Sequence, residues 1–125
     1  VARRARALGF DSWVMLNLYP QRSTDPAGLD RTADPALMAA NEREIARVFA
    51  TRPDALLAAW GTLIGSRPYL ADSARRIVAL ADSAGCTWSA LGPPTAAGHP
   101  RHPLYVRNDA ALVPFDARRY VAQLP

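Results

Sequence analysis

Two long stretches of the chain carry apolar residues at helical spacing. Across residues 35–50 the apolar side chains recur every three or four positions, and Asp34 provides an N-cap side chain directly before the first turn. Residues 69–84 place apolar side chains on one face and charged side chains on the other, which predicts a surface helix closed by Gly85. Shorter helices are predicted near both ends of the sequence, over residues 1–8 and 116–121.

Three short apolar runs without helical spacing predict buried strands. They cover residues 13–16, 54–60 and 86–91. Because helices alternate with these strands, the pattern predicts a three-layer α/β/α domain with a short parallel sheet. The carboxyl ends of parallel strands meet at one edge of the sheet, where ligands bind in folds of this kind. We therefore expect functional residues in the segments 17–25, 60–66 and 91–105.

Length and composition favour one globular domain over residues 1–125. Half of the residues (50%) are hydrophobic, which is enough for a buried core. No run approaches the roughly 18 consecutive apolar residues of a membrane span, and no secretory leader is evident, so we expect a soluble cytoplasmic protein without a membrane partner. A single cysteine, Cys86, excludes an internal disulfide and a C-x-x-C zinc cluster, and we expect no metal site and no cofactor. The sequence leaves the oligomeric state open.

The charge pattern adds modest support for a polyanionic partner. The formal net charge is +4, and all 15 basic residues are Arg. The use of Arg alone, beside abundant Ala and Pro, is typical of a GC-rich genome, so charge is only weak support for nucleic-acid binding. Arginines within the predicted helices, such as Arg4 and Arg75, are interpreted as solvated helix faces.

The ends of the predicted strands carry motifs that resemble a known family. They read L-N at residues 16–17, A-W-G at 59–61 and G-H-P-R-H-P-L-Y at 98–105, and the loop at 22–26 reads R-S-T-D-P. In this order and spacing they resemble the bacterial and phage domain-of-unknown-function family numbered sixteen-forty-three, over nearly the whole chain. The opening motif of that family, M-L-N-P-S-T-A-D, has no counterpart here. The resemblance therefore implies a domain that is truncated at its N terminus.

That family in turn resembles the uracil-DNA glycosylase superfamily, whose strands end in L-L-N and L-W-G and whose loop reads H-P-S-P-L. The resemblance implies that Asn17 reads a flipped base through its amide, which is donor and acceptor at once. It implies that His99 or His102 donates a hydrogen bond to the base oxygen as negative charge develops there. The superfamily's catalytic carboxylate lies after a first strand that is missing here, so glycosylase-type hydrolysis is expected only in a longer form.

Other residues of these loops are candidates for binding. Arg22, Arg101 and Arg107 lie on predicted rim loops and are the phosphate-contact candidates. The remaining candidate pocket residues are Thr24, Asp25, Trp60 and Gly61. The same features also have structural interpretations: Asn17 as a turn or capping residue, the Trp-Gly pair as a core side chain followed by a sharp strand exit, and the two histidines as parts of a proline-rigidified loop.

Together these features favour recognition of a nucleobase or nucleotide, in DNA or RNA, at the carboxyl edge of the sheet. The alternatives are a non-catalytic binding or structural remnant of the fold and a gene fragment without function. We expect Asn17, His99 and His102 to converge on one pocket at this edge. We also expect no base excision by this chain, because no residue takes the place of the superfamily's carboxylate.

Overall fold

We describe the protein from a computed structural model that covers residues 2–20, 28–103, 106–107 and 109–125. The helices in these residues are α1 (Ala2–Ala7), α2 (Pro35–Ala50), α3 (Pro68–Ser83) and α4 (Ala117–Ala122). The strands are β1 (Leu56–Ala58), β2 (Trp88–Leu91) and β3 (Leu112–Pro114). A 3-10 helix (Gly61–Ser66) leads from β1 to α3.

The predicted helices are present, and two of them begin at the predicted caps. α2 begins at Pro35, and the carboxylate of Asp34 accepts a 2.9 Å hydrogen bond from the backbone N–H of Ala36. α4 begins in the same way after Asp116, whose carboxylate accepts from the Arg119 N–H at 3.1 Å. Each cap satisfies an amide that the first helical turn would leave without an intrahelical partner.

α3 lies at the centre of the packing, and its predicted amphipathic character is confirmed, because charged residues such as Asp72 and Arg76 are exposed on the face opposite the core. Eight of its 16 residues are buried. Its Ile77 packs with Ile45 and Phe49 of α2 in one core cluster, and its Leu70 packs with Tyr120 of α4 in a second. Further residues widen the buried face: Tyr69, Ala71 and Ser73. Because α3 contributes to both clusters, it connects the two halves of the core.

The sheet is mixed rather than all-parallel, in strand order β1-β2-β3. β1 and β2 are parallel, with Leu56 opposite Trp88, and the helical connection through α3 explains this direction. β3 is antiparallel to β2, with Leu112 opposite Leu91, so the predicted parallel sheet is corrected here. An antiparallel neighbour needs no helical crossover. The described residues between β2 and β3 accordingly contain turns and irregular segments but no α-helix.

The first predicted strand, residues 13–16, was wrong. The segment is not part of the sheet, and Val14 has an exposed fraction of 68%. Trp13 and Met15 are also exposed, and only Leu16 of this run packs against the core. An apolar run becomes a buried strand only where a neighbouring strand satisfies its backbone groups, and the described residues provide none.

The described residues establish an α/β fold in which α2 and α3 pack on the face of the sheet that carries Leu56. Leu56 of β1 packs with residues of α2 and α3 in a shared core cluster. The next residue, Leu57, points to the opposite face, because side chains alternate along a strand, and its exposed fraction is 39%. A second helical layer and the likeness to uracil-DNA glycosylases therefore stay predictions.

We predict that shortening an aliphatic side chain lowers the free energy of unfolding in the core but not in the exposed segment at residues 13–16. Ile45→Ala is expected to lower the free energy of unfolding by about 2–5 kcal/mol, because Ile45 is only 1% exposed and a cavity would remain. Val14→Ala is expected to change it by less than about 0.5 kcal/mol. Urea unfolding followed by circular dichroism measures both. An equal loss in the two variants would contradict the placement of residues 13–16 outside the core.

Candidate functional site

The loop that leaves β1 and the histidine-containing loop are held together at Gly61. The Gly61 N–H donates a 2.8 Å hydrogen bond to the carbonyl of Pro100, a residue that is fully buried. A Cβ atom at position 61 would lie 3.3 Å from the Cβ of His102, and the Gly61 φ angle is +63°. Both the left-handed backbone and the close approach therefore favour glycine at this position.

A chain of hydrogen bonds joins Trp60, Tyr120 and His99. The Trp60 Nε1–H donates to the Tyr120 hydroxyl at 2.9 Å, and the same hydroxyl lies 2.7 Å from His99 Nδ1. Burial raises the pKa of Tyr120, although the hydrogen bond from Trp60 acts in the opposite direction. The hydroxyl therefore stays protonated at neutral pH. Trp60 follows the end of β1, Tyr120 lies in α4, and His99 lies in the loop after β2.

His99 is also held through its backbone. Its N–H donates to the Thr95 hydroxyl at 3.1 Å, and its carbonyl accepts from the Thr95 N–H at 2.9 Å. The Gly98 N–H donates to the Thr95 carbonyl at 2.8 Å, so residues 95–99 form a closed turn. The imidazole is half-buried. Its position is therefore set by the turn on one side and by Tyr120 on the other.

The ring of Tyr120 packs against other aromatic rings. The centroid of the Tyr120 ring lies 5.7 Å from that of Trp60 and 5.4 Å from that of Phe115. The Trp60 ring is in turn 6.0 Å from the Trp88 ring, in an edge-on arrangement. These separations are typical of stabilising aromatic pairs. The aromatic contacts therefore hold Trp60 and α4 in the positions that the hydrogen-bonded chain requires.

An open cleft of about 300 Å³ lies beside the carboxyl end of β2. It is lined by Leu91, the last residue of β2, and by both described phosphate candidates, Arg101 and Arg107. These arginines have protein partners: Arg101 donates to the Pro93 carbonyl at 3.0 Å, and Arg107 lies 3.3 Å from the exposed carboxylate of Asp109. The structure therefore brings the two arginines to one cleft, but the guanidinium of Arg101 is hydrogen-bonded to the backbone of its own loop.

Two helical arginines that were interpreted as solvated instead donate to backbone carbonyls. Arg4 of α1 donates to the Arg107 carbonyl at 3.2 Å and, at 3.4 Å, to those of Pro103 and Val106. Arg75 of α3 donates to the carbonyls of Leu124 and Pro125, each at 2.9 Å. The earlier interpretation was wrong because it considered only the helix on which each arginine lies. Arg4 therefore belongs to the surroundings of the cleft.

Among the contacts of the described residues, none joins Asn17 to this site. Its side chain is exposed, and its backbone carbonyl accepts a 2.8 Å hydrogen bond from the Asn41 amide of α2. The predicted convergence of Asn17 with the two histidines stays a prediction. Of the other predicted residues, Arg22, Thr24 and Asp25 lie outside the described residues.

In the described part of the chain, no group of three or more His, Cys, Asp or Glu side chains is arranged to hold a metal ion. None of the helices in those residues has the length and apolar character needed to cross a membrane.

The fold and the site place the protein among α/β domains with a small mixed sheet. A family model described as protein of unknown function (DUF1643) matches residues 1–104, and the chain belongs to this family. The resemblance to a domain-of-unknown-function family is thereby confirmed. Comparison with curated proteins and with solved structures gave no match. β3 and α4, with Tyr120, lie beyond the matched residues.

We predict that Gly61→Ala will be more destabilising than Gly65→Ala. At position 61 the new methyl group meets His102 and the left-handed backbone costs about 1–2 kcal/mol, so we expect a loss of at least that size. Gly65 lies in the same 3-10 helix, has no positive φ angle, and would place a Cβ with nothing within 4 Å. Chemical denaturation measures both variants. Equal stabilities would show that the contact between the two loops is not a constraint.

Proposed function

We propose that the protein recognises a nucleobase or nucleotide, in DNA or RNA, through the loops at the carboxyl ends of β1 and β2. The single observation that carries this proposal is the fixed imidazole of His99, which Tyr120 contacts at Nδ1. That contact leaves Nε2 as the ring nitrogen for a ligand. A preorganised polar group at the carboxyl edge of parallel strands is the usual position of a ligand contact in α/β folds.

The cleft beside β2 supports the same proposal. Arg101 and Arg107 both line it, and Arg107 is highly exposed, so its guanidinium can exchange Asp109 for a phosphate oxygen. The net charge of +4 acts in the same direction. In this proposal Arg107 contacts phosphate, and His99, which does not line the cleft itself, contacts the base. The roles of Asn17 as a base reader and of His102 as an alternative donor rest on the family resemblance alone.

The second candidate is a non-catalytic binding or structural protein. One observation favours it: several polar groups of the site already have protein partners. Arg101 is bonded to the carbonyls of Pro93 and Pro94, and the His99 turn is closed by Thr95. Such a set of contacts also suits a loop whose purpose is to be rigid. The two candidates differ in whether a nucleotide binds at all.

We predict weak, salt-sensitive binding of short single-stranded oligonucleotides, measured by fluorescence anisotropy at several salt concentrations. Each phosphate contact contributes a slope of about −0.7 to the dependence of log affinity on log salt. Arg107→Gln is expected to make this slope less negative by about 0.7, because one phosphate contact is lost. Arg47→Gln is the matched control, since Arg47 is also exposed and paired with a nearby acidic residue, Glu44, but lies on α2. His99→Gln is expected to weaken binding without changing the slope.

Several outcomes would contradict the proposal. Absence of binding, or an affinity that does not change with salt, would favour the structural protein. An equal effect of Arg47→Gln and Arg107→Gln would show that binding reflects net charge and not the cleft.

We predict that the chain releases no base from uracil-containing or mismatched DNA in single-turnover assays of abasic-site formation. The described carboxylate that borders the cleft, Asp109, is exposed and lies in a turn, so no strand end holds it in a fixed direction towards a bound sugar. Base release that is lost in Asp109→Asn would show instead that this carboxylate takes part in hydrolysis.

A further inference from the structure

The hydroxyl of Tyr120 lies between two nitrogen atoms, and the chemistry of the first determines how it bonds to the second. Trp60 Nε1–H, at 2.9 Å, can only donate, so the Tyr120 oxygen is the acceptor of that bond. The hydroxyl then has one hydrogen of its own to donate. His99 Nδ1, at 2.7 Å, is positioned to accept it.

The opposite direction of the second bond is unfavourable. If His99 Nδ1 carried the hydrogen, the Tyr120 oxygen would accept from both neighbours and its own hydrogen would lack an acceptor among the described contacts. Tyr120 is buried, with an exposed fraction of 9%, and an unsatisfied buried donor is costly. When Tyr120 donates, neutral His99 carries its hydrogen on Nε2.

We propose that Tyr120 is a positioning residue that fixes His99 in the Nε2–H tautomer and so presents an N–H donor at the carboxyl edge of the sheet. Its role in ligand binding rests on the function proposed above. An N–H donor at this position requires a hydrogen-bond acceptor on the ligand, such as a keto oxygen or an unprotonated ring nitrogen of a base, and disfavours an exocyclic amino group. Tyr120 therefore contributes to the choice of base without contacting it.

The position of Tyr120 is itself determined by hydrogen bonds and an ion pair that hold α4 in place. The helix is capped by Asp116, Arg118 bonds to Asp82 of α3 at 2.7 Å, and Arg75 holds the residues that follow α4. The ring of Tyr120 also packs against Phe115 and Trp60. Since α4 lies beyond the residues matched by the family model, the tyrosine that orients His99 comes from outside the family motifs.

NMR of the ¹⁵N-labelled protein without ligand tests this proposal. Long-range ¹H–¹⁵N spectra at neutral pH distinguish protonated from unprotonated ring nitrogens, and the chain has only two histidines to assign. For His99 we expect a protonated Nε2 and an unprotonated, hydrogen-bonded Nδ1. In Tyr120→Phe we expect the Nδ1 signal to shift towards that of a nitrogen without a hydrogen bond, and the second tautomer to become populated. The signals of His102 should stay unchanged.

Tyr69→Phe is the matched control, because Tyr69 belongs to the same core cluster and its hydroxyl donates instead to the Asp30 carbonyl. It should leave the His99 spectrum unchanged. A protonated Nδ1 in the wild-type protein would overturn the proposal without the need for any variant. A His99 spectrum that is the same in Tyr120→Phe and wild type, or that changes equally in Tyr69→Phe, would also overturn it.

Binding measurements separate this proposal from the proposed function. Tyr120→Phe is expected to weaken binding of a uracil-containing oligonucleotide by about two- to tenfold, the range that corresponds to one hydrogen bond, with no change in the salt slope. If the spectra show the Nε2–H tautomer and no oligonucleotide binds, the positioning role stands and the proposed function fails. If the oligonucleotide binds and His99 is protonated on Nδ1, the positioning role fails.

Discussion

The site depends on the contact between two loops at Gly61. The hydrogen bond from the Gly61 N–H to the Pro100 carbonyl, at 2.8 Å, fixes the histidine loop against the end of β1. With that distance set, Trp60 lies where it can donate to Tyr120, and Tyr120 lies where it can contact His99. A Cβ at position 61 would lie 3.3 Å from the Cβ of His102, which is a tight contact, so a side chain there would push the two loops apart by a few tenths of an ångström. A single position without a side chain thus allows three segments that are distant in the sequence to meet: the end of β1, the histidine loop and α4.

Three of the 15 arginines stabilise the backbone of the protein itself. Arg4, Arg67 and Arg75 each donate to carbonyl groups of segments far away in the sequence. The planar guanidinium offers several donors in fixed directions, which suits carbonyls at the ends of helices and in loops. These arginines hold the residues near the cleft, the loop at Leu29 and the residues after α4. The net charge therefore overstates the positive surface that remains for a polyanionic ligand, and the exposed Arg107 is the clearest candidate contact.

Prediction from the sequence was accurate for the helices and for the parallel strands β1 and β2, but it added a false strand at residues 13–16 and missed β3. α2 was predicted together with its cap at Asp34, because a helix and its cap depend on side chains within a few residues of one another. The run at residues 13–16 was apolar enough for a buried strand, but burial requires a partner strand that local sequence cannot supply. β3 was missed because it is only three residues long, ends in Pro114 and shows no clear alternation of polar and apolar residues.

The sequence by itself determined the helices, the family and the loop that contains His99, because each is a pattern of neighbouring residues or a motif. Only the tertiary structure decided which groups contact that histidine. Tyr120 is 21 residues away from His99 and 60 from Trp60, and no local pattern connects them. Their meeting depends on the direction of β3, the packing of α4 on α3 and the arginine contacts that hold both ends of the chain. A hydrogen bond between side chains requires a donor and an acceptor atom about 3 Å apart, and the whole fold rather than any one segment brings the two atoms to that distance.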